Sequence, residues 1–92
     1  MSIPKDSRRR DVIILACMSK QYFGEAVKAS GAYPLIWTTG LMAPEAYTLE
    51  AALEGYVRGE KPEEVRKRAA REYNKYQKCG EQAALKLLVT GF

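Results

Sequence analysis

At 92 residues and 10.3 kDa the chain makes one small domain with a single modest core, far below the roughly 250 residues at which cores split. Hydrophobic residues at 47% and charged residues at 28% exclude disordered, collagen-like and disulfide-scaffold classes, and fifteen Lys and Arg against eleven Asp and Glu leave +4, which favours an anionic partner without specifying one. Histidine is absent, so the chain alone builds no Cys-His or Ser-His dyad, no His-containing zinc site and no histidine pH switch.

Cys17 and Cys79 form neither a CxxC pair nor a secreted framework, so the expected compartment is a reducing, cytoplasmic one. No apolar run reaches the roughly 18 residues of a membrane span, and no secretory h-region follows the N-terminal charges, so no membrane partner is expected.

In chain order, residues 1–10 read as a flexible basic arm, with Lys5, Arg8, Arg9 and Arg10 against Asp6, and with Pro4 opposing regular structure. Residues 11–92 read as a single α/β domain. Asp11 to Cys17 is apolar on both alternating faces, the pattern of a strand covered by helices on both sides. Ser19 suits an N-cap, and Phe23, Ala26 and Val27 take helical spacing before Gly31 supplies a left-handed stop. Tyr33 to Thr39 is rich in β-formers and closes at Gly40, with Pro34 tolerable near a strand start or on an edge.

Strand, helix and strand predict a right-handed βαβ unit with its ligand crevice at the strands' carboxyl ends, beside Cys17 and Thr39. Pro44 then opens a second helix whose Ala46, Leu49, Leu53, Tyr56 and Val57 form one apolar stripe as far as Gly59. Pro62 opens a third, with Glu63 and Glu64 in its first turn, Lys75 and Lys78 in its last, and Gly80 as its end. The tail fits both a strand and a helix, and the expectation is a short helix running into a strand at Lys86 to Thr90. The fold class is therefore α/β, a small βαβ core of two or three strands with a parallel pair, packed by three to four helices.

Cys17, at a strand end before a helix and near Lys20, has the surroundings that stabilise a thiolate; small packing cysteines occupy the same position, and a nucleophile needs a base. Pairing with Cys79 requires the two α-carbons within about 7 Å. Thr38, Thr39 and Gly40 offer hydroxyls and amides to the same crevice, or form a plain strand-ending turn. Gly24, Gly31 and Gly40 make neither GxGxxG nor a P-loop, and no cofactor is expected.

On the third helix Lys67, Arg71, Lys75 and Lys78 form a basic stripe that suits a nucleic-acid backbone together with Arg8, Arg9 and Arg10. Pairing of Glu63 with Lys67 and of Glu64 with Arg68 would make it a salt-bridged, solvated face instead. Val65, Ala69, Tyr73 and Tyr76 occupy another side.

Asp11 to Cys17, then Gly31-Ala32 before Leu35-Ile36-Trp37, then Glu45 to Gly59 with a further helix from Pro62, give an order that resembles the carboxyl-terminal part of caspase-like peptidases of the CHAT type. The resemblance covers Asp11 to about Tyr73. It implies that Cys17 aligns with the family nucleophile beside oxyanion-hole amides. The family's histidine lies on an earlier strand that has no counterpart here, so the implied molecule is a half-fold without catalysis, or one completed by a separate polypeptide.

An uncovered sheet edge in so small a chain predicts an oligomer, a homodimer or a complex with a complementary polypeptide. Tyr22, Tyr33, Tyr47, Tyr56 and Trp37 are candidate interface anchors, or ordinary core. The leading expectation is a non-catalytic interaction or regulatory module. Nucleic-acid binding is the second reading, and a cysteine enzyme half using Cys17 with a partner's base is the third.

Overall fold

The structure, a computed structural model, describes residues 10–40 and 46–92; Arg8, Arg9 and the rest of the predicted arm before Arg10 lie outside them. The chain runs β1 (Asp11–Ile13), α1 (Ser19–Ser30), β2 (Tyr33–Thr38), α2 (Ala46–Val57), α3 (Pro62–Gln77), α4 (Glu81–Leu87) and β3 (Leu88–Val89). The sheet has the order β1-β2-β3, with β1 parallel and β3 antiparallel to the central β2. This is the predicted small α/β core with a parallel pair, and the ambiguous tail supplies both a helix and a strand.

β2 is buried from Pro34 to Thr38, so both of its faces are covered. α1 packs on β2, while α3 packs on β2 and β3 and carries α2 and α4. The main core gathers Leu35, Ile36, Ala52, Val65, Ala69, Ala70, Tyr73, Ala84 and Leu88. Trp37, only 1% exposed, donates its Nε1–H to Gly91 O at 3.0 Å and meets the Phe92 ring edge-on at 5.5 Å. The last residues thereby fold back over β2.

Three expectations are corrected. β1 is a half-exposed edge strand of three residues rather than a seven-residue strand covered on both sides. Its register slips between Val12 and Ile13, opposite Pro34, which lacks an N–H. Beyond Ile14, whose N–H reaches Ile36 O at 2.9 Å, the carbonyls of Ile14 and Ala16 accept from the hydroxyls of Ser19 and Thr38. Those groups leave the ladder, and the strand ends.

Ser19 is not the N-cap but the first helical residue. Met18 caps α1 in the left-handed region at φ 54° without a side-chain cap bond. Finally, α3 stops at Gln77, three residues short of Gly80. Lys78 takes the left-handed position at φ 54°, its N–H on Asn74 O at 2.8 Å, and Asn74 Oδ1 accepts from Gly80 N at 2.8 Å. The asparagine thus ends the helix before the glycine does.

The apolar stripe of α2 faces outward: Leu49, Leu53, Tyr56 and Val57 are exposed, with Val57 at 82%, and the buried face is Thr48, Ala51, Ala52 and Gly55. The cause is the short α2–α3 connection. Glu60 N bonds Gly55 O at 3.1 Å, and the Glu60 carboxylate grips Arg68 through Oε1 to Nε at 3.0 Å and Oε2 to Nη2 at 2.5 Å. A Cβ on Gly55 would stand 2.6 Å from Glu60 Oε1, so the residue without a side chain must face α3.

Candidate functional site

At the carboxyl ends of β1 and β2 the structure brings Cys17, Thr38, Thr39 and Gly40 together, as the βαβ reading expects. The chemistry there is spent on the fold. Ser19, fully buried, donates Oγ–H to Ile14 O at 2.8 Å and accepts from Thr38 N at 2.8 Å, while Thr38 Oγ1 donates to Ala16 O and accepts from Ser19 N at 3.1 Å. Met18 N bonds Gly40 O at 2.8 Å, and Gln21 Nε2 donates to Thr39 O at 2.7 Å. Thr39 Oγ1 donates to Lys86 O at 2.8 Å.

Buried hydroxyls satisfied in this way lock a loop to a strand and leave no donors for a ligand. The amides of Met18 and Ser19, which follow Cys17, are occupied as well, Ser19 N also reaching Ala16 O at 3.2 Å. Cys17 and Cys79 are both exposed thiols and are not bonded to each other. Among the described residues no group of three or more Cys, Asp and Glu side chains is placed to hold a metal ion.

Two other surfaces stand out. The first is the outward face of α2. At 100° per residue, Tyr56, Leu49, Leu53, Ala46 and Val57 span roughly 100° of the helix, bordered by Glu50 and Glu54. α1 adds a smaller apolar patch at Tyr22, 75% exposed, and Phe23, since it buries only Ser19 and Val27. Of the proposed aromatic anchors, Trp37 is core and Tyr33 is half-buried, whereas Tyr22 and Tyr56 are exposed.

The second surface is the outer face of α3. Lys67, Arg71, Lys75 and Lys78 are exposed, and the expected neutralising pairs do not form. Glu63 pairs with Arg66, and Arg68 with Glu60. None of the four has an ion-pair partner among the described residues. Between α2 and α3 lies a cleft of about 730 Å³, into which Arg71, Lys75, Tyr47 and Tyr76 contribute. The Tyr47 and Tyr76 rings sit 4.2 Å apart between centroids.

Glu60 is held below its ordinary value, first by the side-chain hydrogen bond that Arg68 donates to it, against a smaller upward push from desolvation, with the charges of Arg68, Arg58 and Arg71 adding to the lowering. Arg68 is correspondingly raised by the hydrogen bond to Glu60.

Sequence reasoning missed the α2 face, the Tyr47–Tyr76 pair and the role of Arg66. The small-residue series Thr48, Ala51, Ala52 and Gly55 was the available signal for the first, because a face of small residues lets two helices approach closely. No family model, no curated protein and no solved structure matches this chain. No helix among the described residues is long and apolar enough to cross a membrane.

Proposed function

We propose that the chain is a non-catalytic interaction module that self-associates as a homodimer through the exposed stripe of α2. The carrying observation is a helix that turns Leu49, Leu53, Tyr56 and Val57 outward while burying small residues. Exposed apolar patches of this kind on small chains mark interaction surfaces. Ala46, Leu49, Leu53 and Tyr56 step by three, four and three residues, the spacing of a helix-pairing seam.

The stripe is self-complementary. With antiparallel helices and a two-fold axis beside Leu53, Leu49 of each copy meets Tyr56 of the other, the two Leu53 side chains stack, and Val57 falls beside the methylene stem of Glu50. α2 has 12 residues, about 18 Å of helix, so the patch falls short of the roughly 800 Å² per partner of a standard interface. The dimer is therefore concentration-dependent, and being apolar it is insensitive to salt. This reading takes the caspase-like resemblance as a likeness of scaffold without its chemistry.

Light scattering across a concentration series tests it. The expected mass rises toward twice 10.3 kDa and holds at high salt. A mass that stays monomeric throughout overturns self-association and points to a complementary polypeptide as the occupant of α2.

The basic face of α3, unneutralised among the described residues, favours a second reading, a phosphate-bearing partner such as a single-stranded nucleic acid. Binding of an oligonucleotide that weakens steeply with salt, with a slope reduced when Lys67 and Lys78 become Ala, is its expected outcome. Salt-independent or absent binding contradicts it.

A further inference from the structure

The α2–α3 cleft has a composition that neither the apolar stripe nor the basic stripe explains. One wall carries Arg71 and Lys75, a turn apart on α3, and both are without an ion-pair partner among the described residues. Arg68 also lines the cleft, but its guanidinium is held by Glu60, with Glu54 at 4.0 Å. The available positive charge is thus concentrated at Arg71 and Lys75.

Beside it is the aromatic pair. Tyr47 and Tyr76 meet at 50° with centroids 4.2 Å apart, and Gln77 Nε2 donates to the Tyr47 hydroxyl at 2.5 Å, which fixes that ring. Tyr76 is more than half exposed, and Lys75 Nζ, on a flexible stem, lies over its ring at 5.5 Å from the centroid. A flat, solvent-facing ring next to a cation is a platform for a planar aromatic ligand with an anionic end. Glu50 and Glu72 also face the cleft without ion pairs among the described residues, and their carboxylates accept hydrogen bonds from hydroxyl or amino groups.

From this arrangement we infer that the cleft binds a nucleoside phosphate: the base on Tyr76, the phosphate on Arg71 and Lys75, and the sugar hydroxyls or exocyclic amine on Glu50 or Glu72. Arginine's fork matches phosphate oxygens in pairs. With Glu54, which also lines the cleft, three carboxylates repel a continuous phosphate chain while tolerating a ligand with one charged end beside Arg71 and Lys75, which favours the free nucleotide over a strand. The volume, about 730 Å³, falls within the roughly 300–1,000 Å³ of small-molecule sites. The inference rests on the phosphate-binding reading of α3 but assigns it a ligand and a site; it shares Glu50 with the proposed self-association seam but does not require that seam to form.

The test is an NMR titration of the full chain with adenosine monophosphate, adenosine, inorganic phosphate and a short single-stranded oligonucleotide. The expected result is that the monophosphate binds at least tenfold more tightly than adenosine or phosphate, with shifts at Tyr47, Arg71 and Tyr76. Arg71→Gln and Tyr76→Ala, both at exposed positions, are each expected to weaken it about tenfold, a loss of roughly 1.4 kcal/mol. Inorganic phosphate binding equally well overturns the aromatic platform, and monophosphate binding unchanged in Arg71→Gln overturns the site. An oligonucleotide that binds while the monophosphate does not overturns the cleft yet leaves the phosphate-binding reading of α3 standing.

Discussion

Leu85 and Leu88 present their carbonyls to a single guanidinium: Arg66 donates from Nη2 to Leu85 O at 2.5 Å and from Nε to Leu88 O at 2.8 Å, and pairs with Glu63 through Nη1. One side chain on α3 therefore holds α4 and β3 against the core. Arg66→Ala removes two charge-assisted bonds to partly buried carbonyls and is expected to destabilise by about 1–3 kcal/mol. At roughly 4–8 °C per kcal/mol for a domain of this size, the loss is visible in a thermal melt. Arg66→Lys, able to reach one carbonyl at a time, is expected to fall between. A melting temperature for Arg66→Ala equal to that of the wild type contradicts this account.

The periodicity of α2 is plain in the letters, but the face that period buries is not. A stripe of Leu49, Leu53, Tyr56 and Val57 reads as core because large apolar residues outweigh Ala and Gly in any such pattern. What decides the matter is tertiary: Glu60 and Arg68 close over Gly55 and turn that side toward α3. β1 shows the same limit, since its apolar run is evident while its early end depends on hydroxyls from Ser19 and Thr38 that lie far apart in sequence. The boundaries at Gly31 and Pro62 were legible because each follows from a single residue's backbone preference.

The Glu60–Arg68 pair gives a pH prediction at this scale. Because the carboxyl of Glu60 is lowered in the folded chain, its contribution is present above the unfolded value of about 4.3 and lost as pH falls through the folded value. Solvent screening keeps the effect modest. Denaturant titrations between neutral and acid pH are expected to show a shallower acid-side loss in Glu60→Gln. In Gly55→Ala, whose methyl displaces the carboxylate, stability at neutral pH is also expected to drop. An unchanged acid slope in Glu60→Gln contradicts the assignment.

For the molecule as a whole, the α/β class and the parallel pair followed from local patterns, the tail was legible only as a choice between helix and strand, with its strand confined to Leu88–Val89 rather than Lys86 to Thr90, and the exposure of the apolar and basic surfaces was not legible at all. The crevice at the strand ends, the place that fold analogy singles out, is closed by the Ser19–Thr38 network. The basic stripe was visible as a helical repeat, but its lack of neutralising partners among the described residues depends on Arg66 and Arg68 turning to Glu63 and Glu60 instead. β1 and β3 flank β2 with only three and two residues; strands so short offer little edge for pairing. The apolar helix face, rather than the sheet edge, is thus the surface on which the proposed assembly would rest.

The most direct measurement is the solution mass of Leu53→Glu beside the wild type at one concentration where the wild type is associated, with Tyr22→Glu as a control on the other exposed apolar helix and circular dichroism to confirm folding. The account predicts a folded monomer for Leu53→Glu and wild-type mass for Tyr22→Glu. A Leu53→Glu chain that keeps the wild-type mass contradicts it.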